Sequence, residues 1–257
     1  MGTVTKALSL LDYFESQRNL IGLSDMSRLS GMNKATVYRM MTELQQAGYV
    51  EQVAQTRNYR LGPTVLRLAR LREQAVPLVE VARPLLQGLC NQTNETAHVS
   101  VVIGTRLSTV AHAYSQTHAT KVMMEDAEHL SFHGTASGLS ILGFADDALV
   151  DAVLSEPLLA HTEQTITEAP QIRQILKTVR ECGYAVSVGG FEREVHSFAA
   201  PVMDASGRPC GAIAVAAPMN RITQDVQETF PKLVMSAANE LTEQTGGLVK
   251  ELHQASQ

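Results

Sequence analysis

Two short amphipathic segments separated only by Gly31, Met32 and Asn33 constrain the fold of this chain more than any other feature. In the first, Met26 and Leu29 fall at helical spacing, Ser24 is placed to cap, and Asp25 sits at the positive end of the helix dipole. The second, NKATVYRMMTELQQAG, opens on Asn33 as cap, carries Val37, Met40, Met41 and Leu44 as one apolar stripe, and stops at Gly48. Two such helices joined by a short turn containing glycine form a helix-turn-helix. Upstream, Val4, Ala7, Leu8, Leu11 and Phe14 recur at spacings of three and four and predict one further helix. Downstream, strands at 49–53 and 59–61 around a polar turn at 55–58 predict a β-hairpin wing. Pro63 then suits the first turn of a new helix, TVLRLARLREQ, in which leucines alternate with Arg67, Arg70 and Arg72.

The rest of the chain mixes the two periodicities. A helix from Val79 to Thr93 contains Pro84 as a kink or restart point. Segments 97–103 and 107–114 read as a hairpin, KVMM at 121–124 as a third strand, and the loop HGTASG at 133–138 as the opening of a helix to about Phe144. Helices follow at 147–155 and 168–182, then a second hairpin, SFAAPVM and CGAIAVA, turning at Asp204 to Gly207, and a closing helix over 225–253. The reading is α+β with three parts: a winged helix-turn-helix over 1–61, a linker helix over 62–78 and a second domain over 79–257.

With 44% hydrophobic and 18% charged residues the chain can bury a sizeable core, which argues against disorder. No run of about 18 apolar residues occurs, so no membrane partner is expected, and the N-terminus turns polar too early for a signal peptide; a cytoplasmic protein is expected. Cys90, Cys182 and Cys210 form no CxxC pair and read as buried thiols. The net charge of −5 conceals a split: residues 1–75 hold ten Lys and Arg against six Asp and Glu, and the remainder eleven against twenty, giving +4 and −9. The basic end coincides with the helix-turn-helix. With the apolar stripe inward, Lys34, Ala35, Thr36, Tyr38, Arg39 and Thr42 face outward. Lys34 and Arg39 suit phosphate or guanine, Thr36 backbone or base, and Ala35 a thymine methyl; Arg57 and Arg60 on the hairpin suit neighbouring phosphates or the minor groove of double-stranded DNA. Ser24 reads equally as a plain cap or a phosphate contact.

The run LSDMSRLSGMNKATVYRMMTELQQAGYVEQVAQTRNYRLGPTVLRL resembles the DNA-binding domain of IclR-type transcriptional regulators, whose wing ends in Tyr-Arg-Leu-Gly. RPLLQGLCNQTNETAHVSVV, HGTASG, CGYAV and FAAPVMDASGRPCGAIAVAAPMNRIT match that family's effector-binding domain in order and spacing. The resemblance spans nearly the whole chain. It implies a GAF/profilin-like domain with a central antiparallel sheet, a small-molecule pocket, operator DNA as partner, and homodimers or homotetramers. Carried over by position, the pocket comprises Ala136 and Ser137 in the loop, Ser187, Ser197, Ala214 and Ala216, with Val122, Met123 and Leu130 as an apolar wall.

Members responsive to glyoxylate and pyruvate carry Asp, Cys and two Ser where this chain has Ser187, Ser197, Ala214 and Ala216. Fewer polar partners disfavour a small, strongly hydrated oxoacid and favour a larger, partly apolar effector such as an aromatic acid. SVGGF replaces the usual acidic run, and Gly189 and Gly190 are expected to loosen that segment. His98 and His133 are candidates to meet an effector carboxylate, whereas a zinc site through His129 and His133 lacks a third ligand. An enzyme using Ser137 with His133 stays open as an alternative, as does an interaction module that binds no DNA. GTASG is not GxSxG, and without GxGxxG, P-loop or HExxH no cofactor and no catalysis are expected.

Overall fold

The computed structural model describes residues 2–14, 18–75, 77–104, 106–124 and 130–249. The chain divides into two compact units, Met1–Pro77 and Leu78–Gln257.

In the first unit, α1 (Thr3–Leu8) is followed by a 3-10 turn at Leu11–Tyr13, then α2 (Leu23–Ser30), α3 (Lys34–Gln46), strands β1 (Val50–Gln52) and β2 (Tyr59–Leu61), and α4 (Pro63–Ala75). The predicted first helix is thus broken: Leu10, absent from the expected stripe, is fully buried, while Val4 and Leu8 stand in solvent. Gly31 closes α2 in the left-handed conformation, and the Asn33 side chain accepts the Thr36 amide at 2.8 Å, as its cap position requires. Ser24 is no cap. The helix starts two residues earlier, from Gly22, and Ser24 Oγ instead accepts a hydrogen bond from Lys34 Nζ at 2.9 Å. Met26, Val37, Met40, Met41 and Leu44 pack with Leu10, Ile21, Val50 and Tyr59 into one core. Val50 pairs with Leu61 and Gln52 with Tyr59, while Ile21 bridges Tyr59 from the other side, so the wing is anchored at its buried end. Gly62 ends the hairpin because a Cβ there would collide with the Gly48 carbonyl.

The second unit opens with α5 (Leu78–Thr93), which continues through Pro84 as one helix. Then come β3 (Thr96–Ile103), β4 (Arg106–Ala113), α6 (Ala136–Phe144), α7 (Asp147–Ser155), α8 (Ala169–Cys182), β5 (Ala185–Val188), β6 (Val195–Met203), β7 (Pro209–Pro218) and α9 (Gln224–Gln244). The five strands form an antiparallel sheet in the order β4-β3-β7-β6-β5. Because side chains alternate along a strand, His98, Ala214, Ala199 and Ser197 line one face and Val99, Ile213 and Phe198 the other. Helix α6 packs on the first face, α5 and α9 on the second.

Three expectations are corrected. KVMM is extended but forms no strand: Thr96 Oγ1 donates to the Val122 carbonyl and Tyr114 Oη accepts the Met124 amide, which leaves it beside the sheet. The closing helix ends at Gln244, where the Gly247 amide turns back to the Thr242 carbonyl; positions 250–253 of the predicted helix lie outside the described residues. Of the three cysteines only Cys90 is buried, Cys182 being intermediate and Cys210 exposed. No helix among the described residues is long and apolar enough to cross a membrane.

Candidate functional site

Burial of the α3 stripe turns Lys34, Ala35, Tyr38 and Arg39 to solvent, with Tyr38 54% exposed; Thr36 and Thr42 are half-buried. Thr42 Oγ1 donates to the Tyr38 carbonyl, which occupies its hydroxyl. Among the described residues Arg39 has no ion-pair partner, whereas Lys34 is tethered to Ser24. The wing arginines differ. Arg57 sits at the hairpin tip with φ of 59°, and Gln52 Nε2 holds its carbonyl at 2.9 Å. Arg60 faces Glu51 across the β1–β2 pair and forms an ion pair at 2.5 Å, which cancels much of the charge expected to meet phosphate.

In the second unit a cavity of about 50 Å³ lies between the sheet and the start of α6. Its lining includes His98, Val122, Leu130, Ala136, Ser137, Ser187, Ser197 and Ala216, all anticipated from the sequence. It also includes Met124, Thr135, Phe191, Glu192 and Val195, which were not. Thr135 caps α6, accepting the Gly138 amide at 3.0 Å and donating to the Ser131 carbonyl at 2.7 Å, so the positive end of a helix buried from Ala136 to Gly143 faces the cavity. Three anticipated residues lie elsewhere. Met123 is 46% exposed, pointing away from its neighbours Val122 and Met124 as extended backbone demands. Ala214 packs with Ala136 and Ala199 behind the lining. His133 has both ring nitrogens engaged, Nδ1 with Ser131 Oγ and Nε2 with the Leu159 carbonyl, each at 3.0 Å. His129 lies outside the described residues, and among those described no three His, Cys, Asp or Glu side chains form a metal set.

Ser137 therefore does not meet His133. Its Oγ lies 3.2 Å from Nε2 of His98, a residue 5% exposed whose Nδ1 has no partner among the described residues. A nucleophilic serine needs its histidine held in one tautomer by a third group, and nothing holds His98 at Nδ1. Burial, with the neighbouring His112 as a lesser cause, pushes His98 down to about 4, so the ring is neutral near pH 7.

The cavity walls are tied down by residues that do not touch it. Thr162 Oγ1 donates to the Gly189 carbonyl at 2.5 Å and Thr165 Oγ1 to that of Gly190 at 2.7 Å, so the double-glycine segment is clamped rather than loose. Glycine is required at 190 because a Cβ would stand 2.7 Å from both the Gly134 carbonyl and Ser187 Oγ. On the far wall, Arg221 grips the buried Glu95 through two nitrogens and also donates to the Thr120 carbonyl at 3.2 Å. These threonines and this ion pair carried no sequence signal, since their partners lie 25 or more residues away.

Two family models match the chain: the IclR helix-turn-helix domain over residues 3–54 and the bacterial transcriptional regulator IclR C-terminal domain over residues 73–243. The transcriptional repressor IclR of Escherichia coli K12 is 25% identical over 253 residues, covering 96% of this chain and 90% of the relative. The acetate operon repressor of Salmonella typhimurium is 24% identical over 254 residues, covering 95% and 90%. The crystal structure of an IclR transcriptional regulator from Silicibacter sp. TM1040 shares the fold with a TM-score of 0.88 and 54% identity, covering 98% of this chain and 99% of that one.

Proposed function

Because the chain belongs to the IclR family of bacterial transcriptional regulators, pairing a DNA-binding helix-turn-helix with an effector-binding domain, we propose that it switches a catabolic operon in response to a small organic acid. In this reading residues 1–61 bind the operator, 62–78 link, and 79–257 sense. Lys34, Ala35, Tyr38 and Arg39 of α3 enter the major groove, Thr36 meets backbone, and Arg57 reaches a flanking phosphate ahead of Arg60, which Glu51 partly neutralises.

The cavity at the positive end of α6 carries the effector reading. Val122, Met124, Leu130, Phe191, Val195 and Ala216 supply apolar surface; His98, Ser137 and Ser197 supply polar atoms. At about 50 Å³ it takes a short-chain acid as it stands, whereas benzene occupies an engineered cavity of about 150 Å³, so an aromatic acid requires Phe191 and Leu130 to move apart. The relative named for an acetate operon supports the class of ligand.

Assembly into a homodimer or homotetramer is supported by Leu66 and Leu71 on α4, 60% and 51% exposed, and by Val4 on α1, 72% exposed: apolar surface that a second copy would cover. Two winged units of a dimer then reach half-sites about 34 Å apart, and effector shifts the population between operator-competent and incompetent arrangements.

Gel-shift titration against the DNA upstream of the chain's own gene tests the reading. Salt-sensitive retention that short-chain acids alter, and that Arg39→Ala weakens by about 5- to 150-fold without changing the circular dichroism, is expected. Retention unaffected by Arg39→Ala overturns the placement of α3, and no retention at all overturns the DNA-binding reading.

A further inference from the structure

Within the cavity the arithmetic of charge is unusual. Among the described residues its lining holds no Lys or Arg, and its single charged side chain, Glu192, has the same sign as an organic acid. The α6 terminus offers a partial positive charge of about +0.5 at most. Its donors are already committed in part: the Gly138 and Leu139 amides go to Thr135, the Thr135 hydroxyl to the Ser131 carbonyl, and the Ser187 hydroxyl to the Gly134 carbonyl. An anion brought here from water therefore lacks a full counter-charge.

One lining group can supply it. His98 is buried, has one ring nitrogen in contact with Ser137 and the other unpartnered. We propose that the effector is a carboxylate that enters together with a proton, His98 becoming the imidazolium that balances it; this deepens, and rests on, the reading of the cavity as an organic-acid site. The proton comes from solvent and forms an N–H bond on the ring. Nε2 then donates to Ser137 Oγ, the Ser137 hydroxyl donates to the carboxylate, and the imidazolium supplies the counter-charge one side chain behind it. The cavity gains one negative and one positive charge.

The groups facing His98 set the sign. His112, directly across the β3–β4 pair, opposes the imidazolium, Ser137 of α6 accepts from it, Ala214 of β7 with Val122 and Met124 bring no charge, and Glu192 is the one carboxylate elsewhere in the lining. With the cavity empty, burial and His112 keep the ring neutral; a carboxylate at Ser137 reverses the balance. Affinity then falls as pH rises above the titration point of the bound ring, approaching about tenfold per pH unit.

Sodium acetate and its uncharged counterpart acetamide are the probes, used on the full chain labelled with 15N-histidine. Saturating acetate near pH 7 is expected to convert the His98 ring nitrogens from the neutral to the imidazolium pattern, and acetamide is not. Calorimetry in buffers of different ionisation enthalpy should show about one proton taken up per acetate bound, and His98→Asn should abolish that uptake. If acetate shifts the Ala136 and Ala216 methyls while His98 stays neutral, the proposal falls and the organic-acid site stands. If acetate moves no cavity resonance, both fall. The wild-type nitrogen shifts decide the matter without the variant.

Discussion

The two units keep their polar chemistry in opposite places. In Met1–Pro77 the core is Leu10, Ile21, Met26, Val37, Met41 and their neighbours, and the cations suited to DNA, Lys34 and Arg39 on α3 and Arg57 and Arg60 on the wing, stand in water. In Leu78–Gln257 the informative groups are buried: Glu95, Thr96, His98, Ser137 and Ser187 are all inside. All eight histidines of the chain also lie beyond residue 77. A surface that meets a polyanion keeps its cations hydrated until the partner arrives. A cavity that selects a small molecule must first satisfy its own polar atoms, and the capacity left over defines what it accepts.

Breaking the Arg221–Glu95 pair should test that contrast most severely. Glu95→Ala leaves a partly buried guanidinium without its carboxylate and is expected to cost about 3–5 kcal/mol, read as faster hydrogen exchange in β3 and β7. A cost below about 1 kcal/mol, typical of surface pairs, would show that burial does not separate the units in the way described.

Acid comes next. The folded-state value of His98 lies near 4 against 6.5, so the unfolded chain takes up the proton first. Stability is complete above about pH 6.5 and is lost as pH falls toward 4, by roughly 3 kcal/mol from a displacement of about 2.5 units at 1.36 kcal/mol each. Burial lowers His196 and His161 in the same direction. Exchange protection should therefore fade over this range in Leu78–Gln257 before it does in Met1–Pro77, which has no histidine.

In the winged unit the effects are smaller and, apart from the helix cap, appear in binding rather than folding. Arg39→Ala should weaken operator binding by about 1–3 kcal/mol in a gel-shift titration while thermal stability moves by less than about 0.5 kcal/mol. Asn33→Ala removes the cap of α3 and should cost about 1 kcal/mol in thermal denaturation. Arg60→Ala should have the least effect, reducing the salt dependence of binding less than Arg57→Ala, because Glu51 already faces Arg60.

This contrast also governs how much was legible. The periodic stripe of α3, its Asn33 cap and the glycine stops are local signals, and the structure has them where the pattern put them. The strands of both hairpins and helices α7 and α8 were readable for the same reason. Leu10 was not, because the stripe was drawn for one continuous helix and the chain turns at Ser9. The short strand β5 escaped notice because its four residues gain their identity from pairing with β6. In the cavity, Ser137 meets His98, 39 residues away and presented by the sheet, and not His133, the partner of the enzymatic alternative, which is near only in sequence. Phe191 and Glu192 follow a double glycine that composition alone reads as loose, and only the distant threonines reveal the segment as a fixed wall.

The junction at Gly62 has a mechanical meaning. The Gly62 amide donates to the Tyr49 carbonyl at 2.7 Å, the Thr64 amide to that of Gly48 and Thr64 Oγ1 to that of Ala47, both at 3.1 Å. The start of α4 is thereby bolted to the residues that leave α3, Ala47 to Tyr49. Torque applied along α4 is passed to α3 through these bonds, which favours movement of the winged unit as a solid body over local melting. A helix of 13 residues is a lever about 20 Å long, and a tilt of about 10° displaces its end by roughly 3 Å. That is close to the 3.4 Å of helix axis that each phosphate of one strand occupies, so with α3 in the major groove as proposed a small rotation puts it out of step with its half-site.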